Sequence, residues 1–251
     1  MHKIAILNHK GGVGKTTSTL NLGAGLYRLG KKILLIDMDP QANLTYSLNI
    51  KAHEIEKSVY EILKGETTPE EVLIKHDGIN IIPSSLNLSA AEIEFSAVPG
   101  REFLLKEALK GFDAFDYILI DCPPSLGLLT LNVLTTVREV FIPLQTEFLP
   151  MQGMVKLIET IEIVKKRLNS TLEISGIICT LFDKRKNLNK EVLENIKNYF
   201  GDKVFNVVIR DNISLAEAPS FGKTIFEYKP ESHGAADYLA LSKEIVEREN
   251  K

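Results

Sequence analysis

The chain has 251 residues, 44% of them hydrophobic and 25% charged, and a net charge of −3. That composition fits one soluble globular unit with a well-buried core; it excludes an overall basic coat, though 30 Lys and Arg residues can still gather on one face. Two distant cysteines, Cys122 and Cys179, exclude a disulfide framework and suit a reducing cytosol, and no run approaches the roughly 18 apolar residues of a membrane span.

Along the chain, strand-like apolar runs alternate with helix-like segments. Strands are predicted at about Lys3 to Asn8, Ile33 to Asp37, Ile79 to Pro83, Tyr117 to Asp121, Val140 to Leu144, Ile174 to Thr180 and Val204 to Ile209. Several are almost continuously apolar, as strands covered on both faces are. Helical spacing marks the stretch after Thr16, then Met151 to Leu168, Asn189 to Phe200 and Ala235 to Arg248. The segment from Leu44 to Gly78 is charged and lacks a strong strand, so it reads as an excursion of short helices. The alternation predicts an α/β fold, a mainly parallel twisted sheet with helices on both faces. No repeat or linker interrupts it, so residues 1–251 are expected to form a single domain.

The first strand runs into Lys10 to Thr17, KGGVGKTT, which opens the first helix. Glycines 11, 12 and 14 allow positive φ and close backbone approach, so that N–H groups can face phosphates. Lys15 and Thr16 occupy the GK[ST] positions, where the lysine reaches β/γ-phosphates and the hydroxyl reaches Mg²⁺. Two departures from the common pattern stand out: His9 replaces its first glycine, and Lys10 is an additional lysine. Strand, glycine loop and amphipathic helix together predict a nucleoside triphosphate site, against the plainer reading of a glycine-rich turn with two solvated lysines.

Two strands end in carboxylates. In Leu34 to Gln41, LLIDMDPQ, alternation puts Asp37 and Asp39 on one side, where a carboxylate can orient the water that attacks a γ-phosphate. In Tyr117 to Ser125, YILIDCPPS, Asp121 fits the acidic strand end that holds Mg²⁺ directly or through water. Asp37 is expected to help hold the loop or the metal. Alone, each aspartate could equally be a cap or turn residue.

Four segments, KGGVGKTT, LLIDMDPQAN, DYILIDCPPSLGLLTLNVL and IRDNISLAEAPSFGKTI, together resemble the ParA/Soj partitioning ATPases. These belong to the deviant-Walker group that includes MinD and the nitrogenase iron protein. The resemblance spans Met1 to about Leu241 and implies a P-loop NTPase (SIMIBI-like) fold using ATP/ADP and Mg²⁺. It implies that Lys10 reaches the phosphates of a partner subunit in an ATP-bound sandwich dimer, with Gly12 at the seam. It assigns Lys10, Lys15 and Asp39 to catalysis, with Thr16, Asp121 and Asp37 at the metal. Lys10, Gly11, Gly12, Val13, Gly14, Lys15, Thr16 and Thr17 would bind the nucleotide phosphates. Arg210, Asp211 and Asn212 fall where the family contacts the base, although IRDN replaces the usual IPRN or IPRS.

The resemblance also implies sequence-independent DNA binding. Arg185 matches a DNA-contacting arginine, flanked by Lys184 and Lys186 in a short basic run, where the plainer reading is a solvated loop. Ser214 stands at a position often basic in relatives, and Lys223, Arg101 and Lys106 are further candidates. The implied partners are a second copy with ATP, non-specific DNA and a ParB-like activator, in a cytoplasmic, nucleoid-associated protein without a membrane role. Three alternatives remain: positioning of a protein cargo, a MinD-like membrane-surface switch, and an electron-transfer enzyme on the same scaffold. The mixed-charge tail from Lys243 to Lys251 disfavours the second, and Cys122 and Cys179, read as buried small residues, disfavour the third.

Overall fold

The computed structural model describes residues 1–146 and 151–249. Its strands are β1 (His2–Ile6), β2 (Ile33–Asp37), β3 (Ile74–His76), β4 (Ile79–Ile82), β5 (Tyr117–Asp121), β6 (Glu139–Gln145) and β7 (Glu173–Thr180). They form one sheet in the order β3-β4-β2-β5-β1-β6-β7. All neighbours are parallel except β3 and β4. β2 and β5, the two strands tipped with aspartates, are adjacent, and Asp37 is in register with Asp121. β1 lies on the other side of β5, so the glycine loop leaves the sheet beside both carboxylates.

Successive residues of each strand enter opposite cores. Ala5, Leu7, Leu34, Ile36, Ile118 and Ile120 belong to one apolar cluster. Ile4, Ile6, Ile33, Leu35 and Leu119 belong to the other. Period-two side-chain geometry therefore feeds two layers of helices, which is why the strands read as unbroken apolar runs. Helices Leu128–Thr136 and Met151–Arg167 cover the first face through Leu129, Val133, Leu157 and Ile161. Helices Lys15–Arg28 and His233–Glu249 cover the second through Leu20, Leu22, Tyr238 and Leu241. The first of this pair lies close to the sheet and to its neighbour: a Cβ on Gly23 would sit 2.7 Å from Leu35, and one on Gly25 would sit on Ser242.

Two expectations need correction. Val204 to Ile209 is no strand, although it runs beside β7 and donates from Phe205 and Ile209 to the carbonyls of Ile177 and Cys179. The amides of Asn206 and Val207 instead donate to the Glu244 carboxylate, which breaks the ladder. The charged excursion does contain the expected short helices, Asn43–Tyr46, Val59–Lys64 and Pro69–Val72, but it ends in β3. Asp77 and Gly78, with φ of 43° and 84°, turn β3 into β4. An Asp-Gly pair is a strong hairpin signal, so this strand was detectable.

Candidate functional site

The loop after β1 turns sharply into helix Lys15–Arg28. Gly12 and Gly14 have φ of 73° and 90°, which only glycine adopts without strain. Gly14 caps the helix without a side chain, so the first-turn N–H groups are left for an anion. Two carboxamide and hydroxyl contacts brace the loop from neighbouring strands: Asn8 Nδ2 donates to Pro143 O at 2.8 Å, and Thr180 Oγ1 donates to Val13 O at 2.9 Å. Val13 itself is buried, so any phosphate contact it makes is through its backbone.

Lys15 folds back so that Nζ donates to the carbonyl of Lys10 at 3.1 Å. Burial lowers its pKa, and the charges of Asp121 and Asp39 work against that shift. A buried ammonium with a single carbonyl acceptor gains much from phosphate oxygens. Burial lowers the pKa of His9, in the place of the motif's first glycine, and the charges of Lys15, Lys156 and Lys10 act in the same direction.

At the tips of β2 and β5 the carboxylates have distinct jobs. Asp121 is 1% exposed and accepts from Thr16 Oγ1 at 2.7 Å and from Thr19 Oγ1 at 3.3 Å. Asp37 is fully buried and accepts from the amide of Asp39 and from both the amide and hydroxyl of Thr45. Its oxygens are therefore committed to the turn that presents Asp39. The geometry does not support Asp37 as a direct metal ligand. Asp39 accepts from the Gln41 amide at 2.9 Å and is among the residues that line the cleft. Burial raises the pKa of both Asp37 and Asp121; the Asp39 charge adds to the first, against its hydrogen bonds from Thr45, and the charges of Asp37 and Asp39 add to the second. Such crowding of carboxylates around Thr16 fits a divalent cation, which would offset it.

A cleft of about 770 Å³ joins these groups. Gly11, Gly12, Gly14, Lys15, Thr16 and Thr17 of the loop line it together with Asp39 and Pro124. Arg210, Asp211 and Asn212 line it too, as do Thr180 and Tyr238, which the sequence alone did not single out. The Arg210 side chain is not free to read a base, because Nε donates to Asp237 at 2.9 Å and Nη2 also binds that carboxylate. Asn212 accepts from the Ser214 amide and caps helix Ile213–Glu217. Lys10 is absent from the cleft wall. Its Nζ donates to Gln145 Oε1, at the end of β6, at 3.0 Å.

The basic run lies just beyond β7. The Arg185 side chain is 84% exposed, yet its guanidinium lies 2.8 Å from Asp183 Oδ2, and its own amide also donates to that carboxylate. This arginine holds the Asp183 carboxyl well below the usual carboxylate range. Lys184 and Lys186 flank it, with Lys186 at the N-cap of helix Asn187–Phe200. Two of the further candidate positions do not join it. Lys106 faces Lys3 at the opposite end of the parallel sheet, and Ser214 is 2% exposed.

The cysteines are buried, and burial pushes the Cys179 thiol up to about 12 and that of Cys122 well above its ordinary value. Cys122 directly follows β5 and Cys179 lies in β7, and β1 and β6 separate those strands. Helix His233–Glu249 turns Ala235, Tyr238, Leu241 and Ile245 into the core. Its Arg248 donates to the carbonyls of Asp202 and Val204. Asn250 and Lys251, part of the tail considered above, lie outside the described residues. Among the described residues, no helix is long and apolar enough to cross a membrane.

A family profile described as an AAA domain matches residues 1–174. The sporulation initiation inhibitor protein Soj of Bacillus subtilis is 46% identical over 246 residues, covering 97% of each chain. The chromosome partitioning protein ParA of Caulobacter vibrioides is 41% identical over 251 residues, covering 98% of this chain and 94% of that one. Among solved structures, cobyrinic acid a,c-diamide synthase from Mycobacterium smegmatis, with bound ADP and magnesium, superposes with a TM-score of 0.89 at 34% identity. That match covers 100% of this chain and 96% of the other. With relatives this similar along nearly all of its length, and with the glycine loop and Asp39 lining one cleft and Asp121 bonded to Thr16 of that loop, the chain belongs to the ParA/Soj family of P-loop ATPases.

Proposed function

We propose that the protein is a Mg²⁺-dependent ATPase of slow intrinsic turnover that partitions a plasmid or chromosome. All of residues 1–251 serve as one ATPase domain, acting in the cytoplasm at the nucleoid. One observation carries the reading: Thr16 and Asp121 meet at 2.7 Å beneath the glycine loop, and Asp39 faces the same cleft. The first-turn amides and Lys15 bind the phosphates of ATP, while Thr16 and Asp121 hold the metal. Mg²⁺ held there would supply charge neutralisation to the transferring phosphate. Asp39, fixed by its turn, orients the attacking water. Asp211 and Asn212 flank the base.

Lys10 does not line its own cleft and is held by Gln145, which supports a role in the partner subunit of an ATP-closed sandwich dimer. A Cβ on Gly12 would meet nothing within 4 Å, so that surface is open for close approach by a second copy. The dimer binds DNA phosphates through Lys184, Arg185 and Lys186 without sequence preference. A ParB-like activator then stimulates hydrolysis and releases the dimer. ATP turnover measured with and without DNA and the candidate activator tests this. Stimulation by the two together supports it, and turnover indifferent to both contradicts it.

A further inference from the structure

Gln145 closes β6 and makes two contacts with the glycine loop. Its Oε1 accepts from Lys10 Nζ at 3.0 Å, and its Nε2 donates to Gly12 O at 2.8 Å. Asn8 Oδ1 accepts from the Lys10 amide at 3.0 Å while Asn8 Nδ2 is anchored on β6. The Lys10 backbone is thus fixed, and its side chain has one polar partner among the described residues. Among the described residues, no carboxylate lies within ion-pair distance of Lys10.

We propose that Gln145 is a positioning residue that parks Lys10 on its own subunit until a partner's nucleotide draws it away. A neutral carboxamide suits this role because it holds an ammonium in one geometry, yet binds it less strongly than a carboxylate or a triphosphate. The exchange is therefore favourable only when ATP occupies a facing subunit. The second contact, on Gly12 O, ties the same side chain to the surface where the partner would approach. Removing Lys10 from Gln145 leaves the carboxamide still bonded to Gly12, so parking and loop support are separable. The gating part of this proposal rests on the sandwich-dimer reading; the parking part does not.

Two substitutions distinguish parking from mere support of the loop. Both Gln145→Leu and Gln145→Glu remove the donor to Gly12 O, so a purely structural role moves them in the same direction. Parking moves them in opposite directions, because leucine frees Lys10 and glutamate holds it as an ion pair. The first readout is acylation of Lys10 in the nucleotide-free protein, followed by peptide mass spectrometry. Relative to wild type, Lys10 should react at least about threefold faster in Gln145→Leu and more slowly in Gln145→Glu. Equal reactivity in all three overturns parking, whatever the protein does with ATP. The second is the rate of ATP-dependent dimer formation by light scattering, with ATP affinity measured alongside. The expected order is leucine, wild type, glutamate. If the lysine is freed but dimerisation is unchanged or slowed equally in both variants, Gln145 does not gate. If wild type itself stays monomeric with ATP while the acylation order holds, the sandwich reading fails and parking stands.

Discussion

The ends of β1, β2 and β5 and the loop after β7 both carry charge at the same edge of the sheet, but they are built differently. At the first, Lys15, Asp37, Asp39 and Asp121 are buried, and each is fixed by backbone or hydroxyl partners. At the second, Arg185 is exposed, and Asp183, two residues away, is its only ion-pair partner among the described residues. Buried charges are costly and persist where the rest of the fold over-determines them. Exposed ones cost little and can be rearranged or lost without disturbing the fold. Chemistry belongs with the first construction and a salt-sensitive, adaptable contact with the second.

The contrast can be broken at several places. The largest effect is expected for Asp39→Ala, which should cut activator-stimulated hydrolysis about 100- to 1,000-fold while ATP-dependent dimerisation persists. Near-normal turnover would remove Asp39 from the water-positioning role. Lys15→Ala should weaken ATP binding by about 30-fold or more, measured by calorimetry, since it removes charge-assisted hydrogen bonds in a buried setting.

Asp121→Asn sharpens the comparison because function and stability should part. Burial and the neighbouring Asp37 raise the Asp121 pKa, so the folded state binds this proton more tightly than the unfolded chain does. As pH rises from the ordinary carboxylate range through neutrality, ionising Asp121 therefore costs the nucleotide-free protein stability. The asparagine variant should melt a few degrees above wild type at about pH 8, with the gap shrinking toward about pH 5. It should also lose the stabilisation that Mg²⁺-ATP gives wild type. A gap that widens on acidification would reverse the sign and refute the assigned cause.

The smallest effects belong to the exposed loop. Arg185→Ala should weaken DNA binding and lower the salt slope by about one, while Asp183→Asn, which releases the arginine, should strengthen binding by about two- to fivefold. Neither should alter ATP affinity. Unchanged DNA binding in both variants would exclude this loop from the interface.

The sequence made the first construction readable and the second only in outline. KGGVGKTT and the two aspartate-tipped strands carry their chemistry in residue type and spacing, and parallel pairing brings them together. The almost continuously apolar strand runs likewise predicted a sheet covered on both faces. Contacts between distant segments were less legible. Arg210 looked available until Asp237 claimed it from 27 residues away, and the 204–209 run looked like a strand until Glu244 took two of its amides. Gln145 gave no signal at all, since a glutamine ending an apolar strand acquires meaning only when β6 lies beside β1. Alternation puts Asp37 and Asp39 on one side, and the sequence left Asp37 between holding the loop and holding the metal. Thr45, at the start of the next helix, assigns the first to support and leaves the second to the cleft.

The central claim is that each nucleotide is served by Lys10 of the other subunit, and mixed dimers test it most directly. Lys10→Ala subunits keep Asp39 but supply no lysine, whereas Asp39→Ala subunits supply Lys10 but do not hydrolyse. Each alone should be nearly inactive with activator and DNA. Mixed in equal amounts before ATP is added, they should recover about one quarter of wild-type turnover, from half the dimers with one competent site each. Turnover that stays at background in the mixture would mean that Lys10 serves its own cleft, contradicting the account.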